Sequence, residues 1–160
     1  MSKILVLDAS TKGCSAAVFD AGKLVASLEL KNEKTSSSKL TLLAEQAIQL
    51  SDLRWEELDA IAVGKGPGSY TGLRIAVSTA KGLCFALDKP LIAIGTLQMM
   101  ANGYLQKHPN YGGLICPMID ARRMEVFTSV YDNKLKEIEV VNAKIVDDKS
   151  FILELESLIL

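Results

Sequence analysis

The chain is poor in the residues that most readily declare a chemistry. Its 160 residues include one histidine, three cysteines, one tryptophan and four prolines, and aromatics make up only 6%. A single histidine excludes a metal site built on paired histidines. His108, in "QKHPNYGG", has no acidic cluster beside it, which argues against a Ser-His-Asp triad as well. Cys14, Cys84 and Cys116 form no CxxC and no even set, so they read as small core hydrophobes in a reducing compartment. An excess of either charge is also missing, with 18 basic against 19 acidic residues. A protein that holds nucleic acid alone shows a clear basic excess, because phosphate neutralisation dominates affinity. Any RNA contact is therefore expected to be shared with a partner. No apolar run reaches the ~18 residues of a membrane span, and "MSKILVLDAS" is too short and too acidic for a signal peptide. The reading is a cytoplasmic protein with no membrane contact, no metal and no cofactor.

What is present is apolar material, 49% of the chain. "KILVLDAS" is a short apolar run ending in Asp8, as in a strand buried on both faces. "CSAAVFDAGKLVASLEL" offers two strands joined by "DAGK", and "NEKTSSSK" is a polar loop. From about Ser38 the spacing turns helical, with Leu40, Leu43, Ala44, Ala47, Ile48 and Leu50 on one side and Glu45 and Gln49 on the other. "DAIAVGKG" is a second buried strand, and a helix runs from about Thr71 to Leu87. "KPLIAIG" is a third buried strand, leading into the helix "TLQMMANGYLQ". The first 106 residues thus read βββ-α-β-α-β-α, a mixed sheet with helices on its faces.

The pattern then restarts. "LICPMIDA" resembles "KILVLDAS", and "EVFTSVYDNKL" resembles "CSAAVFDAGKL". Asp120 and Asp132 match Asp8 and Asp20 at one offset of 112 residues (120 − 8 and 132 − 20). Gly22 of the first turn falls on Asn133 once one residue is skipped. We expect an internal duplication, with one lobe over residues 1–106 and an incomplete second lobe over 107–160.

The stretch "GKGPGSYTGLR" at residues 64–74 raises the question of a phosphate loop. It supplies neither the GxxxxGK[ST] of a Walker loop nor GxGxxG, and Pro67 removes one amide donor. A tight strand-to-helix turn capped by Ser69 or Thr71 accounts for it. In the helix, Leu73, Val77, Ala80, Leu83, Cys84 and Leu87 form one apolar face. A second stripe of Gly72, Ile75, Thr79, Gly82 and Ala86 is small and uncharged, with Arg74, Ser78 and Lys81 in a narrow strip between. Such a helix is built to be covered twice, the second time either by a partner or by a neighbouring helix of the same lobe.

"DASTKGCS" resembles a phosphate hairpin, with an acid closing a strand and small residues at the bend. Asp8, Ser10, Thr11 and Gly13 are its candidate residues, read as a vestigial site. Its counterpart "DARRMEVF" puts Arg122, Arg123 and Met124 where small residues would admit a phosphate. A stand-alone ATPase or kinase of this fold is the alternative function, and the second loop argues against it.

"GKGPGSYTGLRIAVSTAKGL" resembles the signature of the TsaB (YeaZ) family, with Tyr70 in place of the usual Phe and Ala76 in place of the usual Gly. "LVLDAST" and "IDARRMEV" are similar to the family pattern too. The resemblance implies a duplicated actin/hexokinase-like fold (ASKHA, RNase H-like). It implies a non-catalytic scaffold role in making N6-threonylcarbamoyladenosine beside the tRNA anticodon. The partners so implied are a TsaD-like transferase, which carries the histidine pair and the transfer chemistry, and a TsaE-like ATPase. tRNA enters indirectly, through the complex, and a homodimer uses the same surface. Carried onto this sequence, the interface comprises Leu42 and Gln46 of one helix and Gly68, Gly72, Arg74, Ile75, Ser78, Thr79, Gly82 and Phe85 of the next, with no catalytic residue.

Overall fold

A computed structural model of the chain describes residues 2–31, 39–148 and 150–152. It divides into two compact units, one ending at Gly95 and one beginning at Thr96.

The first unit runs β1 (Lys3–Asp8), β2 (Cys14–Asp20), β3 (Lys23–Leu30), α1 (Leu40–Leu50), β4 (Ala60–Gly64), α2 (Tyr70–Leu87) and β5 (Leu91–Ile94). The sheet order is β3-β2-β1-β4-β5. β1 pairs antiparallel with β2 and parallel with β4, which in turn is parallel to β5. The parallel pairs require crossovers, and α1 and α2 supply them. Leu5 and Leu7 of β1 alternate with less buried neighbours, and so do Cys14, Ala16 and Val18 of β2. The buried set packs with Leu43, Ala44, Ala47 and Ile48 of α1 and with Ala76 and Ala80 of α2 in one core. Both helices therefore cover the same face of the sheet. Each fully buried leucine contributes about 1.5–3 kcal/mol to this packing.

Two expectations are corrected here. The pattern of β5 reads as a buried strand, yet Leu91, Ile92 and Ala93 are exposed, because β5 is the outermost strand with a neighbour on one side only. Leu50 counts toward the apolar side of α1 by spacing and is exposed, since it lies at the margin of that stripe in the last turn. Ser38 and most of the polar loop before it lie outside the described residues.

The second unit contains α3 (Thr96–Lys107) and an antiparallel meander of β6 (Met118–Arg122), β7 (Glu125–Tyr131) and β8 (Glu137–Ile145). Three consecutive strands opened by a hairpin repeat the pattern of β1–β3. The expected boundary at 106/107 is too late. α3 belongs with the second meander, because Leu97 and Ala101 share a small apolar cluster with Ile115 and Tyr131. The two outer turns also differ. In the first, Ala21 (φ 51°) and Gly22 (φ 77°) are left-handed, whereas in the second it is Leu135 (φ 62°) and not Asn133. Asp132 explains the longer bend, as its Oδ1 accepts N–H bonds from Lys134 (2.8 Å) and Lys136 (2.9 Å).

Candidate functional site: the outer faces of two helices

α1 buries Leu40, Leu43, Ala44, Ala47 and Ile48 toward the sheet and turns Leu42, Glu45, Gln46 and Gln49 outward. Leu42 is 49% exposed. α2 buries Gly72, Ala76 and Ala80, a line at i, i+4 and i+8, with Leu73, Val77, Leu83, Cys84 and Leu87 half-buried beside it. Arg74, Ser78, Lys81, Gly82 and Phe85 form the opposite, exposed side. Phe85 is 93% exposed. Leaving so large an apolar ring in water forgoes burial that any apolar cover would supply. At the start of the helix Tyr70 is also exposed, and the Arg74 guanidinium lies 5.4 Å from its ring centroid. Tyr70 and Leu50 are apolar surface residues that spacing alone does not single out. Tyr70 is legible only as a motif position.

Of the residues expected on the partner surface, Leu42, Gln46, Arg74, Ser78, Gly82 and Phe85 are exposed, while Ile75 and Thr79 are half-buried at its margin. Gly68 and Gly72 are different and require a correction. Gly72 is buried, and a Cβ there would collide with the carbonyl oxygen of Ala9. A Cβ at Gly68, whose φ is +156°, would collide with the carbonyl of Ser10. Both glycines let the first turn of α2 close on the loop after β1, so they serve the chain's own packing.

That loop is the candidate phosphate hairpin. The Ser10 carbonyl accepts the Ser69 N–H at 2.7 Å, and the Ser69 hydroxyl caps α2 by accepting the Gly72 N–H at 3.3 Å. Two amide donors at the helix start are thus engaged within the chain, which leaves fewer for an anion. Gly13 is held close by the end of the neighbouring strand β3, where a Cβ would stand 2.5 Å from the Leu30 carbonyl oxygen. Ser10 is buried, and Thr11 is exposed. Asp8 Oδ2 accepts from the Ser10 hydroxyl (2.9 Å) and more weakly from its N–H (3.4 Å), whereas the buried Oδ1 has no hydrogen-bond partner among the described residues. Burial pushes the Asp8 carboxyl above its ordinary range, and the Ser10 bonds oppose that shift in part.

The remaining candidates are dispersed. His108 is exposed in the loop after α3, against Tyr104. Cys14 and Cys84 have thiols raised by burial, so their thiolates are disfavoured. Arg122 (φ 68°), Arg123 (φ 55°) and Met124 (φ 62°) are all left-handed at the exposed β6–β7 bend.

A mixed sheet opened by a three-strand meander, with the later strands fed by crossover helices, is the actin/hexokinase-like class. The ROK hexokinase of Thermus thermophilus shares this fold, with a TM-score of 0.50 at 17% identity over 88% of this chain and 48% of its own. YeaZ from Pseudomonas aeruginosa is nearer, with a TM-score of 0.79 at 28% identity over 91% of this chain and 68% of its own. In sequence, the chain is 33% identical over 129 residues to the tRNA threonylcarbamoyladenosine biosynthesis protein TsaB of Escherichia coli (strain K12), covering 81% of this chain and 54% of that protein. It is 35% identical over 139 residues to the protein of the same name in Bacillus subtilis (strain 168), covering 86% and 58%. Residues 30–157 match the family model of TsaD, tRNA N6-adenosine threonylcarbamoyltransferase. The chain belongs to this family, and to its TsaB (YeaZ) members in particular. It spans about half the length of the TsaB relatives it matches.

Proposed function

We propose that this chain is a non-catalytic partner subunit in tRNA threonylcarbamoyladenosine biosynthesis, and that it binds a TsaD-like transferase through the outer faces of α1 and α2. The observation that carries the reading is Phe85, 93% exposed on a helix whose opposite side is packed in the core. Beside it a Cβ at Gly82 would meet, among the described residues, nothing within 4 Å beyond its own chain neighbours and the backbone of its own helix turn. A ring next to a glycine notch suits a helix of another protein, since the ring supplies buried area and the notch allows close approach. Leu42 extends the apolar surface on α1. A partner role also suits a chain with one histidine, in a family whose transfer chemistry we assign to the TsaD-like protein. In this reading a TsaE-like ATPase joins the assembly in the cytoplasm, tRNA is reached through the complex, and a self-dimer competes for the same surface.

The test is the mass, by light scattering after size exclusion, of the chain mixed with the TsaD-like protein of the same organism. A one-to-one complex that replaces the self-dimer is expected. Gly82→Arg is expected to abolish that complex with no loss of thermal stability, because its side chain enters open solvent in the free chain and arginine is a better helix former than glycine. A complex that survives Gly82→Arg and Phe85→Ser removes this surface from the interface. ATP turnover by the purified chain alone would favour the kinase-like alternative.

A further inference from the structure

We propose that Tyr104, His108 and Tyr111, with Lys107 beside them, form a platform for an unpaired base of single-stranded RNA. This goes beyond the partner role, in which RNA is reached only through the complex. It takes its choice of ligand class from that role.

The chain has only four tyrosines and one histidine, yet two of the tyrosines and the histidine fall within residues 104–111. They are also assembled. The Tyr104 and His108 rings lie 4.4 Å apart and tilted, one helical turn from each other, and Tyr111 meets Tyr104 edge-on at 5.2 Å. The Tyr111 hydroxyl donates to the Leu114 carbonyl at 3.0 Å. Gly113 makes room for that ring, since a Cβ there would stand 2.8 Å from the hydroxyl. All three rings remain exposed although they are fixed. Fixed, exposed rings lose little entropy when a flat partner stacks on them.

Charge decides which flat partner. No acidic residue occurs between Asp88 and Asp120, while Lys107 adjoins the rings. A run of this length without a carboxylate, in a chain with 19 acidic residues, means that the segment carrying the platform itself brings no charge that repels phosphate. The adjoining Gln106, Lys107, Asn110 and Gly112 are polar or bare and exposed, unlike the apolar surround of a protein hot spot. A base stacked on the rings, with its phosphate near Lys107, uses every part.

His108 is the only histidine, so its imidazole Cε1–H proton is a single unambiguous resonance in the whole chain. On titration with a short single-stranded oligoadenylate at constant pH it is expected to move upfield by ring-current shielding. The same RNA as a duplex, or sodium polyphosphate, is expected to leave it nearly unmoved. With a fluorescein-labelled strand, Tyr111→Leu and His108→Leu are each expected to weaken binding about tenfold. Lys107→Ala is expected to weaken it less, with the difference vanishing at high salt. The platform is overturned if the single strand causes no shift, if polyphosphate shifts the proton equally, or if Tyr111→Leu, folded by circular dichroism, binds as the parent does. Complex formation with the TsaD-like protein reads a different unit of the chain, so that reading can stand while this one falls.

Discussion

The two ends of α2 use the same residue type for opposite purposes. Gly72, in the first turn, is buried against the Ala9 carbonyl, while Gly82, in the last half, faces open space. Around Gly72 the helix start is locked by the Ser69 cap and by the Ser69 N–H on the Ser10 carbonyl. Around Gly82 stand exposed Lys81 and Phe85. A small-residue stripe read from a helical wheel joins these glycines into one surface. The structure cuts it in two, with an inner half that fixes where the helix starts and an outer half left for another molecule.

The largest expected effect comes from breaking the inner half. Gly72→Ala places a Cβ against backbone, which cannot rotate away, and should destabilise the chain by about 3 kcal/mol. A fall in the urea midpoint at unchanged slope would register it. An unchanged midpoint would mean that the loop after β1 yields freely, and the contrast between the two ends would disappear. Gly82→Ala sharpens the same contrast with the opposite sign. Alanine in an exposed helix interior is favoured over glycine, so the variant should be more stable by about 0.5–1 kcal/mol.

Much of the framework was legible because it depends on local pattern. Strand β4 reads as a continuous apolar run and is buried throughout, and of the two hydroxyls expected to cap the helix, Ser69 or Thr71, it is Ser69 that does so. The order β-β-β-α-β-α-β-α emerges from changes of period alone. What failed depended on neighbours. "LIAI" looks the same in a central strand and an edge strand, and only the sheet order distinguishes them. Spacing cannot assign Gly68 and Gly72 inward, because their partners are carbonyls in a loop far earlier in the chain. Analogy with Gly22 points to Asn133 as the left-handed residue of the second turn. The Asp132 carboxylate, by drawing two later amides to itself, moves that role to Leu135.

The candidate interface was legible in type more than in membership. Phe85, Arg74, Ser78 and Gly82 share a side by helical geometry, and the structure leaves that side exposed. Tyr70 escaped because a residue at a helix start is half loop, and its pairing with Arg74 is a matter of reach and not of periodicity.

The smallest effects concern the carboxylates at the two ends of β1, and they test whether the joint beneath Gly72 carries an electrostatic penalty. Asp8 is raised by burial, so the folded chain holds its proton more tightly than the unfolded one does. Its contribution is therefore most favourable at acid pH and declines as pH rises through the folded value. Asp8→Asn keeps an oxygen for the Ser10 donors and replaces only the unpartnered one. It should be as stable as the parent or slightly more so at pH 7, with the difference closing as the pH is lowered. Glu57 is the opposite case. Lys3 Nζ at 2.9 Å and the Arg54 N–H at 3.0 Å hold its carboxyl down to about 2. Its contribution is present above the usual glutamate range and is lost as pH falls toward 2. Since this pair is solvated, Glu57→Gln should cost less than any change above, and less still in high salt. Thermal melts between pH 3 and 7 should show the two substitutions with slopes of opposite sign. Slopes of the same sign would mean that Asp8 is hydrated in solution, and that the loop beneath Gly72 opens more readily than its packing implies.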